Sequence, residues 1–362
     1  MSTKNRICFV LGTMKRGGAQ RVISVLANHY VAKGWAVDIV LLLSSECEYK
    51  IHPDIRIVPI SGGYDRRLFK ALPWVFGLRR YFREQRPNVV LSLFATINIM
   101  AWVASVGFGH HLVVSERNDP RKDGRNLIVR IMTEAVYPRV DHVVLQTRLA
   151  QSCFSDRVIA NSTVVYNPVS VSVRAQNVRT RTIIAVGKLW PQKNHRLLIL
   201  AFQKVVQIFP SYQLYIYGEG GLRQSLLSLV SELGLKHSVF LPGNIMEIHS
   251  KMAEAEIFVL SSDYEGLSNA LLEAMTIGLP CISTDNLGAQ ELLVHGRNGL
   301  LVPVGSMDGL ANAMLKVIED RELATMLGKG AAEIAHQVST ERVLRKWEEV
   351  LEAGFCATRS DY

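Results

Sequence analysis

Short apolar runs rich in β-branched residues alternate with longer segments of helical period along the chain. Strands are predicted at residues 7–11, 36–42, 55–59, 89–94, 112–115, 142–145 and 163–166. A second set is predicted at 182–186, 213–217, 239–241, 257–260, 281–283 and 299–302. Many of these runs are unbroken rather than alternating, the pattern of parallel strands buried on both faces. Strands separated by helical segments predict parallel sheets wound with helices on both sides. Two such sets predict an α/β chain of two Rossmann-like, doubly wound domains.

The break between the sets falls in residues 167–181. That segment opens with Asn167-Pro168 and is rich in Ser, Arg, Asn and Gln without an apolar period, which reads as a linker. One stretch, 89–109, carries no charge and is long enough to span a bilayer. It contains Ser92, Thr96, Asn98, Ser105, Gly107 and Gly109, and it divides into strand-like and helix-like pieces, so a buried βαβ unit is predicted instead.

The length of 362 residues suits two domains with cores that need no staples. The five cysteines (Cys8, Cys47, Cys153, Cys281, Cys356) are scattered, with no CxxC and no Cys/His cluster. Neither a disulfide framework nor a structural zinc site is expected, and a reducing cytosol fits. Residues 7–13 form a strand-like run without a cleavage site, so no signal peptide is expected. The net charge of +9 is uneven. Residues 1–150 hold 22 Lys and Arg against 11 Asp and Glu, and the remainder holds 19 against 21. The basic first half points to an anionic partner. No nucleic-acid module or aromatic-basic interleaving appears, so nucleic acid is not expected.

Candidate chemistry concentrates in Glu265-Gly266-Leu267-Ser268-Asn269-Ala270-Leu271-Leu272-Glu273-Ala274-Met275. If the segment between the glutamates is helical, their carboxylates stand roughly 12 Å apart along the axis. A glycosidase acid/base pair needs about 5 to 9.5 Å. The spacing suits two anchors on one long ligand. This stretch resembles the E-G-x6-E-A-M signature of the retaining, GT-B-type glycosyltransferases of family 4. The resemblance implies two Rossmann-like domains facing a cleft, residues 1–168 and 169–340, with a C-terminal helix (341–362) crossing back to the first.

It also implies site roles. Gly187, Lys188 and Lys193 lie between strand 182–186 and a helix, where phosphates bind in such folds. By resemblance both lysines hold the donor's diphosphate. Glu273 would accept hydrogen bonds from the nucleotide ribose. Glu265, Gly266, Leu267 and Ser268 would sit by the donor sugar and diphosphate. Gly218, Glu219 and Asn244 follow the next two strands and would line the base pocket. Lys15, Arg16, Gly17 and Gly18 form a loop like the family's Gly-Gly-Ala-Glu-Arg loop, with Gln20 in place of the Glu. It would face donor phosphates and acceptor. Glu116, Arg117 and Asn118 follow strand 112–115. Many family members carry histidine where this chain has Arg117, so no histidine base is carried over. Arg117 is instead expected to bind an acceptor phosphate bidentately, and Glu116 to contact the attacking hydroxyl. Each of these groups also suits an ordinary turn or a structural ion pair.

No Asp-x-Asp occurs, so metal-independent stabilisation of the leaving group is expected. The reading implies a UDP-sugar as cosubstrate, no other cofactor and a polyprenyl-diphosphate-linked saccharide acceptor, as in O-antigen or capsule assembly. Residues 65–86 carry seven basic and two acidic residues, with a helix predicted to start at Pro73. That flank suits reversible docking on an anionic cytoplasmic membrane surface. Two competing classes stay open: a GT-B sugar-nucleotide epimerase or phosphorylase, and a non-catalytic nucleotide-sugar-binding protein.

Overall fold

The computed structural model describes residues 4–15, 17–60, 71–175 and 180–354. The chain falls into two compact units, one of residues 1–168 with 341–362 and one of residues 169–340.

The first unit carries seven strands: β1 (Arg6–Leu11), β2 (Ala36–Leu41), β3 (Arg56–Pro59), β4 (Val89–Leu93), β5 (His111–Ser115), β6 (His142–Leu145) and β7 (Ser162–Val164). They lie in the order β3-β2-β1-β4-β5-β6-β7, and the pairings are parallel. Successive side chains of β1 part to opposite faces, as the pleat requires. Ile7, Phe9 and Leu11 join a core with helix Gly18–Ala32 and the C-terminal helix Thr340–Leu351. Cys8 and Val10 join a second core with residues from helices Ala71–Gln85, Ala95–Ser105 and Leu127–Val136. The C-terminal helix buries Val343, Trp347, Val350 and Leu351, the stripe expected of an amphipathic helix.

The second unit carries β8 (Thr182–Val186), β9 (Gln213–Tyr217), β10 (Val239–Gly243), β11 (Ile257–Leu260), β12 (Cys281–Thr284) and β13 (Leu300–Val302). Their order is β10-β9-β8-β11-β12-β13, again parallel. The winding reverses between β8 and β11, so the loops leaving their carboxyl ends diverge. In open α/β sheets that divergence is where ligands bind.

Sequence expectation and structure differ in particulars. The uncharged stretch 89–109 does form the expected βαβ unit, with β4, helix Ala95–Ser105 and a turn leading to β5, and no helix of the described residues is long and apolar enough to cross a membrane. Helix Ala71–Gln85 contains Pro73 as its third residue rather than its first. This costs little, because N–H groups of the first turn have no intrahelical partner. The segment read as a linker is held down over part of its length. Val169 is buried and its N–H donates to the Val338 carbonyl, and Ala175 N–H donates to the Ile277 carbonyl. Residues 176–179 lie outside the described residues, as do Arg66, Arg67, Lys70 and Cys356. Cys8, Cys47, Cys153 and Cys281 are free.

Candidate functional site

The loops after β8 and β11 form one hydrogen-bonded assembly. Gly187 opens the first of them. The methylenes of Lys193 pass 3.3 Å from where a Gly187 Cβ would stand, so the glycine makes room for that stem. A single 3₁₀ turn, Pro191–Lys193, leads to Asn194 in the left-handed conformation at φ 45°. Asn tolerates that region, and its side chain then caps helix His195–Ile208 by accepting from Leu197 N–H at 3.2 Å. Asn194 Nδ2 donates to Asp263 Oδ1 at 2.8 Å. Gln192 Nε2 donates to the Tyr264 carbonyl at 2.8 Å, and Ser261 Oγ to the Lys193 carbonyl at 2.9 Å.

This stitching brings Lys193 and Glu265, far apart in sequence, into an ion pair between Nζ and Oε1. Ser262 Oγ donates to the same carboxylate oxygen at 2.7 Å. Both charged side chains are largely shielded, 18% and 10% exposed. Lys188 behaves differently: it is exposed, with its Nζ 4.8 Å from the Trp190 ring centroid. The structure therefore brings Lys193 to the acidic loop and leaves Lys188 at the rim.

The helical spacing expected between Glu265 and Glu273 does not hold. Helix Asn269–Ile277 begins after Glu265, which lies in the preceding loop, so the axial rise of about 12 Å does not apply to the pair. Ser268 ends the loop and caps the helix by accepting from Leu271 N–H. Serine at that position competes for backbone donors and so ends the helix there. Gly266 and Leu267 form the turn between, and a Cβ on Gly288 would stand 2.1 Å from the Gly266 carbonyl oxygen. Glu273 is buried on the helix, with His249 Nε2 3.4 Å from its Oε2. That is ion-pair reach without hydrogen-bond alignment, since this nitrogen has no hydrogen-bond partner.

Gly218 and Asn244 sit after β9 and β10, neighbouring strands, so their loops flank the same edge. Gly218 N–H donates to the Gly243 carbonyl at 3.1 Å, and Gly187 N–H to the Tyr217 carbonyl at 2.9 Å. Glu219 is exposed and paired with Arg223 at 3.1 Å, and Asn244 is exposed.

His195 is the residue the sequence reading passed over. It is the first residue of the helix after Lys193, is 4% exposed, and makes no well-aligned hydrogen bond from either ring nitrogen. Burial, reinforced by the Lys193 charge, pushes its pKa down to about 4, against a partial offset from the Lys188 and Gly187 backbone. The imidazole is therefore neutral beside the lysine. Its only sequence signal was its place directly after a Lys-Asn pair.

The first unit holds the remaining expected residues. Glu116 and Arg117 were expected to meet an acceptor, yet both side chains turn inward, at 2% and 5% exposure. Tyr137 Oη donates to Glu116 Oε1 and Arg125 Nη2 to Oε2, the latter at 2.9 Å. Burial raises the Glu116 pKa against the pull of Arg125 and Tyr137. The Arg117 guanidinium donates to Asn167 Oδ1 and Ser115 Oγ and lies 5.9 Å from the Trp347 ring centroid. Desolvation alone pushes its pKa down to about 9. Both side chains are thus engaged by partners within the unit, while Arg117 Nε has no hydrogen-bond partner. Asn118 remains exposed beside them. Lys15 is exposed and paired with Glu46 at 2.7 Å. Gly17 exchanges hydrogen bonds with the Tyr49 hydroxyl, and Gly18 opens helix Gly18–Ala32. Arg16 lies outside the described residues. Among the described residues no group of three His, Cys, Asp or Glu is placed to hold a metal ion.

Two family models match the chain. "Glycosyl transferase 4-like domain" covers residues 17–170, and "Glycosyl transferases group 1" covers residues 172–334. Two Campylobacter jejuni proteins are among the similar curated ones. One is an alpha-1,4-N-acetyl-D-galactosaminyltransferase named for a PP-undecaprenol-linked saccharide, 23% identical over 96% of this chain and 98% of its own length. The other is N-acetylgalactosamine-N,N'-diacetylbacillosaminyl-diphospho-undecaprenol 4-alpha-N-acetylgalactosaminyltransferase, 26% identical over 85% of this chain and 88% of its own. Among solved structures, sucrose-phosphate synthase from Thermosynechococcus elongatus matches with a TM-score of 0.85 at 18% identity, covering 98% of this chain and 100% of that one. Anabaena HepE in complex with UDP and glucose matches with a TM-score of 0.80 at 18% identity, covering 95% of this chain and 98% of that one. The two parallel sheets with flanking helices are thus the GT-B architecture.

Proposed function

The chain belongs to the GT-B glycosyltransferases of the family 4 type, and on that premise we propose that it moves a hexose or N-acetylhexosamine, with retention, from a UDP-sugar to a polyprenyl-diphosphate-linked saccharide. The acceptor would be met at the cytoplasmic face of the membrane, with the protein peripherally bound. The observation that carries the reading is the shielded Lys193–Glu265 pair at the point where the second sheet reverses its winding. A lysine there offsets charge building on a departing diphosphate, and a preorganised donor in a shielded site costs no reorganisation during reaction. Lys188 at the rim would reach the same diphosphate from outside. Glu265 holds Lys193 in place before the donor arrives and would then lie by the sugar, while Glu273 would take the ribose hydroxyls. We assign leaving-group stabilisation to these lysines and the helix N-termini, without a required metal. Support for the donor and acceptor classes comes from the relatives named above, which include a structure holding UDP and two transferases named for undecaprenol-linked saccharides.

The test is release of free UDP by purified protein. Release is expected only when lipid-linked acceptor is present, and unchanged with excess EDTA. Lys193→Ala should lower turnover about 10²- to 10³-fold, and Glu265→Ala comparably. Unchanged turnover in both variants would remove the site assignment. UDP-sugar binding without any transfer would favour the non-catalytic reading.

A further inference from the structure

Helix Leu127–Val136 is inverted relative to a normal surface helix. It buries Thr133 and Val136 while Leu127, Ile128 and Ile131 stand 71%, 70% and 60% exposed. These three form one stripe at helical spacing. Leu72 and Phe76, in the opening turns of helix Ala71–Gln85, are 63% and 67% exposed. Helix Ala95–Ser105 packs against both, so the three helices make one layer on one side of the first sheet. In a parallel sheet each such helix runs back against its strand, so the opening turns of the two outer helices lie at the carboxyl edge. Both exposed stripes therefore begin at the edge from which the Gly17 and Glu116 loops also emerge. Single exposed apolar residues need no explanation, but a cluster with basic neighbours does. Arg130 is exposed on the helix that carries the Leu127 stripe, and Arg83 and Arg80, the latter paired with Glu84 at 2.7 Å, are exposed further along helix Ala71–Gln85.

We propose that this helical layer is a bilayer-docking face. It sinks Leu72, Phe76, Leu127, Ile128 and Ile131 among the acyl chains, and its arginines meet anionic phospholipid headgroups. Apolar tips bordered by cations are the composition of interfacial membrane helices. The charge argues against a second copy of the chain as the occupant. Residues 71–86 hold four basic residues and one acidic, and a symmetric contact there would set like charges against each other. The inference rests on the reading above only for its purpose, which is to present a lipid-linked acceptor at the carboxyl edge of the sheet. Docking itself involves no turnover.

The test is co-sedimentation of the full chain with phosphatidylcholine vesicles, with and without phosphatidylglycerol. Binding is expected with phosphatidylglycerol, weakened at high salt. The double variant Ile128→Asp, Ile131→Asp should partition at least about tenfold more weakly, with an unchanged melting temperature. Leu127→Ser, a milder change at a 71% exposed site, should give a smaller loss in the same direction. Equal binding by wild type and double variant, or no binding to phosphatidylglycerol vesicles, would overturn the proposal. So would a wild-type dimer in light scattering that the double variant turns into a monomer. If vesicles bind but no UDP is released from a detergent-solubilised acceptor, the transferase reading fails and the docking face stands.

Discussion

Gly218 shows how tightly the candidate site is built at the level of single residues. Its φ of +150° is disfavoured for any side chain, and an added Cβ would stand 1.9 Å from the Gly187 carbonyl oxygen, a backbone atom with nowhere to go. Gly218→Ala is expected to destabilise the second unit by about 2 kcal/mol or more, read as a lower urea midpoint. His195 makes stability depend on pH. Its ordinary pKa of 6.5 falls to about 4 in the folded chain, so between those values the unfolded chain binds more protons. Stability from this group is complete above the ordinary pKa and is lost as pH falls toward 4. From pH 7 to pH 5 the loss is about 2 kcal/mol. His110, held near 4 by burial in the first unit, adds its own share. Comparing His195→Leu with wild type isolates the effect: the variant's unfolding free energy should change less over that window. An equal slope in both proteins would show that His195 is solvated.

Among the elements, strands were legible and loop contents were not. The strand positions follow from apolar runs, because burial on both faces leaves no polar position to blur the signal. Boundaries shifted where local chemistry intervened. Ser268 and Asn194 cap helices and so fix where the loops end, which left Glu265 outside the helix that holds Glu273. Glu116 and Arg117 stood in a family-like position, but sequence spacing could not reveal that Tyr137, Arg125, Asn167 and Trp347 would close around them. Trp347 is the anchor of the C-terminal helix, 1% exposed in the core that also holds Leu26 and Tyr30. Trp347→Ala should cost about 3–5 kcal/mol, lowering the melting temperature of the first unit and leaving the second unit unchanged. Lys33, which pairs with Glu348 and Glu352 of the same region, contributes far less because its partners are solvent-accessible.

At the scale of the whole molecule, each unit has its own core, so each is expected to melt with its own transition. If the second unit holds the donor, UDP at about a hundred times its dissociation constant stabilises that unit by about 2.7 kcal/mol. For a unit of this size that raises one melting temperature by roughly 5–10 °C and leaves the other in place. Calorimetry in which both transitions moved equally, or neither moved, would contradict that division. The amino-acid sequence by itself determined the repeated strand–helix order, the two-sheet plan, the basic first half and the Glu265–Glu273 signature. These are periodic or local properties, carried by each segment whatever it packs against. Only the tertiary structure decided that Lys193 meets Glu265, that His195 is sealed beside them, that Arg117 turns inward, and that Leu127, Ile128 and Ile131 turn outward. Those outcomes depend on which strands become neighbours and which face of each helix finds the sheet, and contacts between residues distant in sequence set both.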